Sequence, residues 1–249
     1  MLPLRLISVV LCWALAGPAQ AEGVTVFAAA SLKTALDAVL EESPPGADVT
    51  VSYAATSTIA RQIALGAPAD LVITASSDWM TYLEGQNRVV PQSRVDLLGN
   101  ELVLVARADM MFIALANMGV DDFVGKDRLA MALVEAVPAG IYGQEALTAL
   151  GLWTRLAPQV VQTDNVRAAL RLVAMKEAPF GIVYATDALA EPRVQVVYRF
   201  APDLHGPIRY PMALVSGDAA ARALWAHLQS DTAAAIFARH GFTPLAGPQ

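Results

Sequence analysis

Short apolar runs rich in β-branched residues alternate along this chain with stretches whose apolar residues recur every three or four positions. The first pattern predicts strands and the second helices. Strands are expected over residues 24–28, 49–54, 71–74, 101–106, 129–133, 159–162, 180–184, 194–198 and 210–215, with helices between them. Leu32, Leu36, Val39 and Leu40 fall on one face of the first helix, and Val166, Leu170 and Val173 on one face of the helix after Asp164. Such alternation predicts an α/β architecture with largely parallel sheets.

No repeat, low-complexity tract or long linker divides the chain, so a division into two lobes has to come from strand crossovers. The segment 97–100, Leu-Leu-Gly-Asn, is the expected first crossing, and a return is expected near Arg209-Tyr210-Pro211. This partitions the chain into residues 22–100 plus 211–249 as one lobe and 101–210 as the other. The last helical segment, 219–240, is expected to pack back on the first lobe.

Residues 1–21 have the order of an export signal: Arg5, an apolar run over 6–16, Gly17-Pro18, then Ala19-Gln20-Ala21. The apolar run is well short of the ~20 residues that span a bilayer. Export to the periplasm is therefore expected, and Cys12, the one cysteine, leaves with the signal. Hydrophobic residues make up 55% and charged residues 16%, which excludes disorder. The net charge of −6 becomes −7 once Arg5 departs, so nucleic acid and anionic membrane surfaces are poor partners. An anion bound here must be held by local donors.

Four places share one grammar: a strand, a turn of small or hydroxyl residues, then a helix. They are Ala30-Ser31, Ala55-Thr56-Ser57-Thr58, Pro138-Ala139-Gly140, and Thr163-Asp164-Asn165-Val166, where Asp164 is the expected N-cap. Each alone reads as an ordinary capped helix start. Together they have a second meaning, because loops after strand carboxyl ends gather on one sheet edge and ligands bind there. Unpaired N–H groups at helix starts favour anions.

The motifs F-A-A-A-S-L at 27–32, A-A-T-S-T-I-A-R-Q-I at 54–63, G-A-P-A-D-L-V-I at 66–73, V-P-A-G-I-Y at 137–142, D-N-V-R-A-A-L at 164–170, G-I-V-Y-A-T-D-A at 181–188 and I-F-A-R-H-G-F at 236–242 resemble the periplasmic molybdate-binding proteins of ABC importers. The resemblance implies a two-lobed periplasmic binding protein fold of type II, each lobe a mixed, mainly parallel sheet flanked by helices. It implies molybdate or tungstate as ligand in the cleft, a membrane permease as partner, a monomer, no cofactor and no direct protein ligand to the metal. Carried over by motif, the contacts fall on Ser31, Thr56, Ala139, Val166 and Tyr184, with Ser57 as a possible sharer of the Thr56 role. Ser31, Thr56 and Tyr184 would offer hydroxyls, Ala139 and Val166 their backbone N–H. Arg61 and Arg167 lie past the helix openings and are left out of the site.

Two other readings compete. An exported hydrolase needs a base beside its nucleophile, yet His205, His227 and His240 all lie in the last fifth of the chain and no G-x-S-x-G occurs. Sulfate shares molybdate's tetrahedral shape and full ionisation, so donor chemistry alone does not separate the two. Phosphate carries a proton near neutrality and would favour a carboxylate acceptor, which none of the five contacts provides.

Overall fold

The computed structural model describes residues 23–42, 46–111 and 118–245; the signal assigned to residues 1–21 lies outside the described residues. Strands β1 (Val24–Ala29), β2 (Val49–Ala54), β3 (Leu71–Ile73) and β4 (Val95–Gly99) enter a first sheet. The chain then crosses to a second sheet through β5 (Leu102–Arg107), β6 (Leu129–Ala132), β7 (Val160–Thr163), β8 (Phe180–Tyr184) and β9 (Val194–Arg199). It returns to the first with β10 (Arg209–Leu214) and β11 (Thr243–Pro244). Sheet orders are β11-β4-β10-β3-β1-β2 and β7-β6-β8-β5-β9, each flanked by helices, giving a two-lobed α/β molecule.

Every residue of β6 and β8, and residues 102–106 of β5, is buried, as continuous apolar runs require when helices cover both faces of a sheet. In the first sheet β2, β1 and β3 pair in parallel, whereas β10, β4 and β11 pair antiparallel. In the second, β7, β6 and β8 pair in parallel and β5 and β9 antiparallel. The sheets are thus more mixed than strand–helix alternation suggests. The antiparallel members cluster around the two crossings, where strands arrive from the other lobe instead of through a local helix.

Several elements differ from expectation, among them the two-residue strand β11. Residues 97–99 belong to β4, so the crossing shrinks to Asn100 and Glu101. The adjacent buried pair Leu97-Leu98 breaks the alternation that marks a strand, which hid β4 in the sequence. The segment 219–240 is two helices, Ala219–His227 and Asp231–Arg239, because Ser230 accepts a hydrogen bond from the Ala233 N–H and starts a new one. Asp164 is not the N-cap of the helix Val166–Ala174: Asn165 is, its Oδ1 accepting from the Ala168 N–H at 3.0 Å.

The helix Pro138–Ala149 starts hard against the end of β6, and only glycine fits at its third position. A Cβ on Gly140 would stand 2.3 Å from the Ala132 carbonyl oxygen and 2.5 Å from that of Leu133, both backbone atoms that cannot rotate away. Gly140→Ala is therefore expected to lower unfolding free energy by about 1–3 kcal/mol in urea titration. An unchanged midpoint would show that the helix start is not packed this tightly.

Candidate functional site

Parallel register brings the four turns together. Ala29 lies opposite Ala54, so β1 and β2 release their chains at one level, into the 3-10 turn Ala30–Leu32 and the helix Thr56–Ala64. On the other sheet Ala132 lies opposite Thr163, ahead of the helices Pro138–Ala149 and Val166–Ala174. Between the lobes these ends line a small cavity. Ser31, Thr56, Ala139, Val166 and Tyr184 all line it; Ser57 is buried but does not.

The sequence pattern suggests capping hydroxyls at Ser31 and Thr56, but neither caps. Ser31 sits inside its 3-10 turn and Thr56 is the first helical residue; the cap positions are Ala29 and Ala55, with Val137 at the third helix, and none provides a capping side chain. A polar N-cap ordinarily contributes about 0.5–2 kcal/mol. Three of the four cleft-facing starts forgo it, so their first N–H groups are left to whatever occupies the cavity.

The hydroxyls are arranged as donors. Thr56 Oγ1 accepts from the Ala75 N–H at 3.0 Å, so its own hydrogen is free to point elsewhere. Ser31 Oγ lies 2.9 Å from the Tyr210 hydroxyl. Tyr184 is 1% exposed, and among the described residues its hydroxyl has no partner. Burial, with lesser contributions from neighbouring Tyr210, Tyr142 and Asp187, holds its ionisation well above the ordinary tyrosine value. It therefore remains a neutral O–H on a residue that lines the cavity.

Among the described residues no positive side chain lines the cavity. The Arg61 guanidinium packs over the Trp79 ring at 5.4 Å, and Arg167 turns to Asp187, as their positions past the helix openings suggest. Trp79 Nε1 donates to the Ala136 carbonyl at 3.0 Å, joining the two lobes at one rim. None of the three histidines lines the cavity, and among the described residues no group of three His, Cys, Asp or Glu is placed to hold a metal ion. Sequence reasoning missed Tyr210, Asn100 and Ala75, which hold the cavity hydroxyls from behind, because nothing near them in sequence marks them.

A family profile described as bacterial extracellular solute-binding protein matches residues 24–243. The chain is 44% identical over 242 residues to the molybdate-binding protein ModA of Escherichia coli (strain K12), covering 94% of each. It is 39% identical over 228 residues to the molybdate-binding protein ModA of Haemophilus influenzae (strain ATCC 51907 / DSM 11121 / KW20 / Rd), covering 88% of this chain and 89% of that one. Its structure is similar to that of the periplasmic molybdate-binding protein of Azotobacter vinelandii, with a TM-score of 0.77 over 91% of this chain and all of that one; at 21% identity this bears on the fold alone.

A buried ion pair stands behind the cavity wall. Arg167 Nε lies 2.5 Å from Asp187 Oδ1, and Nη2 reaches across the cleft to the Ser31 carbonyl at 3.3 Å and Thr34 Oγ1 at 3.2 Å. Asp187 is fully buried, and desolvation pushes its carboxyl up to about 6, Arg167 offsetting part of the rise. Between the ordinary value of 3.8 and about 6 the folded state holds a proton that the unfolded state has lost, so this group makes stability fall as pH rises through that window. Asp187→Asn removes that slope. Its unfolding free energy relative to wild type is expected to rise from about pH 4 to about pH 6 in denaturant titrations; parallel curves would show that Asp187 is ionised throughout.

Proposed function

The chain belongs to the bacterial extracellular solute-binding proteins, and on that footing we propose that it captures molybdate in the periplasm and delivers it to the membrane permease of an ABC importer. The observation that carries this reading is the unpartnered, neutral Tyr184 hydroxyl on the wall of a small cavity ringed by helix starts without polar caps. A tetrahedral dianion supplies what those groups lack. Ser31, Thr56 and Tyr184 donate hydroxyl hydrogens, and Ala139 and Val166 donate backbone N–H. Hydrogen bonds to a charged group contribute about 1.5–3 kcal/mol each, so a handful supports tight binding without a cation. The two molybdate-binding relatives, alike over nearly the whole chain, support the choice of anion.

The protein works as a monomeric receptor with no catalysis and no cofactor. Tungstate, with the same shape and charge, binds as well, and the metal reaches the protein only through its oxygens. Residues 22–100 with 211–249 form one moving lobe and 101–210 the other; the short crossings after β4 and before β10 support that division. Closure follows from the ligand drawing donors from both lobes, since a ligand shifts an equilibrium only by binding one state better than the other. Residues 1–21 direct export.

Calorimetry on the mature protein tests the reading. Molybdate and tungstate are expected to bind tightly and sulfate far more weakly; sulfate binding equal to molybdate would overturn the choice of anion. Ser31→Ala and Tyr184→Phe are each expected to weaken molybdate binding by about 1–3 kcal/mol with circular dichroism unchanged. Wild-type affinity in both variants would remove these residues from the site.

A further inference from the structure

Behind Ser31 runs a chain of hydrogen bonds with a direction. Asn100 occupies the crossing between β4 and β5, and its Oδ1 accepts from the Glu101 N–H at 2.9 Å. That contact fixes which side of the amide is oxygen, leaving Nδ2 as the donor. Nδ2 donates to Thr186 Oγ1 at 2.8 Å and to the Tyr210 hydroxyl oxygen at 3.1 Å. Tyr210 is fully buried, and burial holds its proton in place. With its oxygen receiving from Asn100, the Tyr210 hydrogen goes to Ser31 Oγ, 2.9 Å away. Ser31 then has a lone pair engaged from behind and its own hydrogen free to turn toward the cavity. At Thr56 the Ala75 N–H does the same work.

We propose that Asn100 and Tyr210 are specificity-determining positioning residues: by donating toward Ser31 they turn its hydroxyl into a dedicated donor, so that the cavity favours anions without a proton over hydrogen-bearing anions of equal charge such as hydrogen phosphate. The P–O–H of hydrogen phosphate needs an acceptor, and at Ser31 and Thr56 it meets hydrogens. A buried donor without a partner loses its hydration and gains nothing in return. Among the described residues Tyr184 is the wall hydroxyl whose oxygen no protein donor occupies, so the discrimination is graded, not absolute.

This inference rests on the proposed oxyanion-binding function, and the test separates the two. Molybdate binding and its displacement by inorganic phosphate are measured on wild type, Asn100→Asp and Tyr210→Phe, at a mildly alkaline pH where both anions are doubly charged. An aspartate at 100 accepts from Tyr210, whose oxygen then accepts from Ser31, so the serine turns a lone pair to the cavity. Phenylalanine at 210 removes the inner donor without adding charge. The ratio of molybdate to phosphate affinity is expected to fall about tenfold or more in Asn100→Asp and by a smaller factor in Tyr210→Phe. The added charge of aspartate weakens both anions alike and leaves the ratio unmoved, as does general damage to the cleft. If either variant fails to fold, the other decides. A ratio within about twofold of wild type, or phosphate that displaces molybdate from neither variant, overturns the relay while the function stands. A wild type that binds no molybdate overturns the function and the relay with it.

Discussion

The proposed capture of a small dianion without a countercharge is the constraint that ties the features of this fold together. The chain carries a net charge of −6, so no general positive field draws the anion in, and the arginines nearest the cleft are engaged elsewhere. What remains are dipoles, and a dipole acts on an ion only if it is aimed and close. That requirement sets the architecture. Parallel strands must end at one level so that helix starts converge, as β1 with β2 and β6 with β7 do. Three of the four caps are apolar, the fourth, Asn165, takes up the Ala168 N–H and not that of Val166, and Gly140 must be small enough for its helix to begin beside the end of β6. Stability given up at three caps is thereby converted into binding capacity.

Arg167 shows how a positive charge can serve such a site from outside it. Placed in the cavity, a guanidinium would attract any anion and weaken discrimination by shape. Held by buried Asp187, it instead reaches over the cleft to the Ser31 carbonyl, so a cation of the second lobe grips the backbone of the first at a residue that also lines the cavity. Trp79 makes the corresponding link from the first lobe to the Ala136 carbonyl. These two contacts span the gap between the sheets through protein atoms alone, so the present arrangement of the lobes is held in part by protein–protein contacts.

The strands and the strand-turn-helix grammar were legible in the sequence because they are local: apolar runs, small residues and helical periodicity lie within a dozen positions of each other. Ser31, Thr56, Ala139, Val166 and Tyr184 were found through family motifs, and all five line one cavity. Their physical reading was less complete. Hydroxyls at helix starts suggested caps, and only the backbone geometry reveals that alanines occupy the cap positions. Asn165 in place of Asp164 is a shift of one residue between two equally good capping side chains, which propensity does not resolve. Strand β4 was hidden by adjacent buried leucines, and β11 by its length of two residues. Tyr210 was beyond reach: its hydroxyl meets Ser31 across 179 positions of sequence, a contact that only the return crossing creates.

That crossing also gives meaning to the last motif of the chain, which no sequence argument explained. Ile236 and Phe237 are buried on the final helix, and Gly241, at φ +85°, takes a left-handed turn that returns the Phe242 N–H to the Phe237 carbonyl at 3.1 Å. Phe242 then meets the Tyr210 ring edge-on with centroids 5.3 Å apart, and Tyr210 in turn meets Tyr184 at 6.1 Å. Beside this tyrosine the β4–β10 ladder shifts register between Tyr210 and Pro211, and the extra residue is Leu97 of β4. Phe242, just past the last helix, thus braces two tyrosines, Tyr210 directly and Tyr184 through it, one lining the cavity and one behind Ser31. A donor cage made of neutral groups has no charge to correct a misplaced atom, so its precision has to come from packing, and this aromatic row is where the end of the chain provides it.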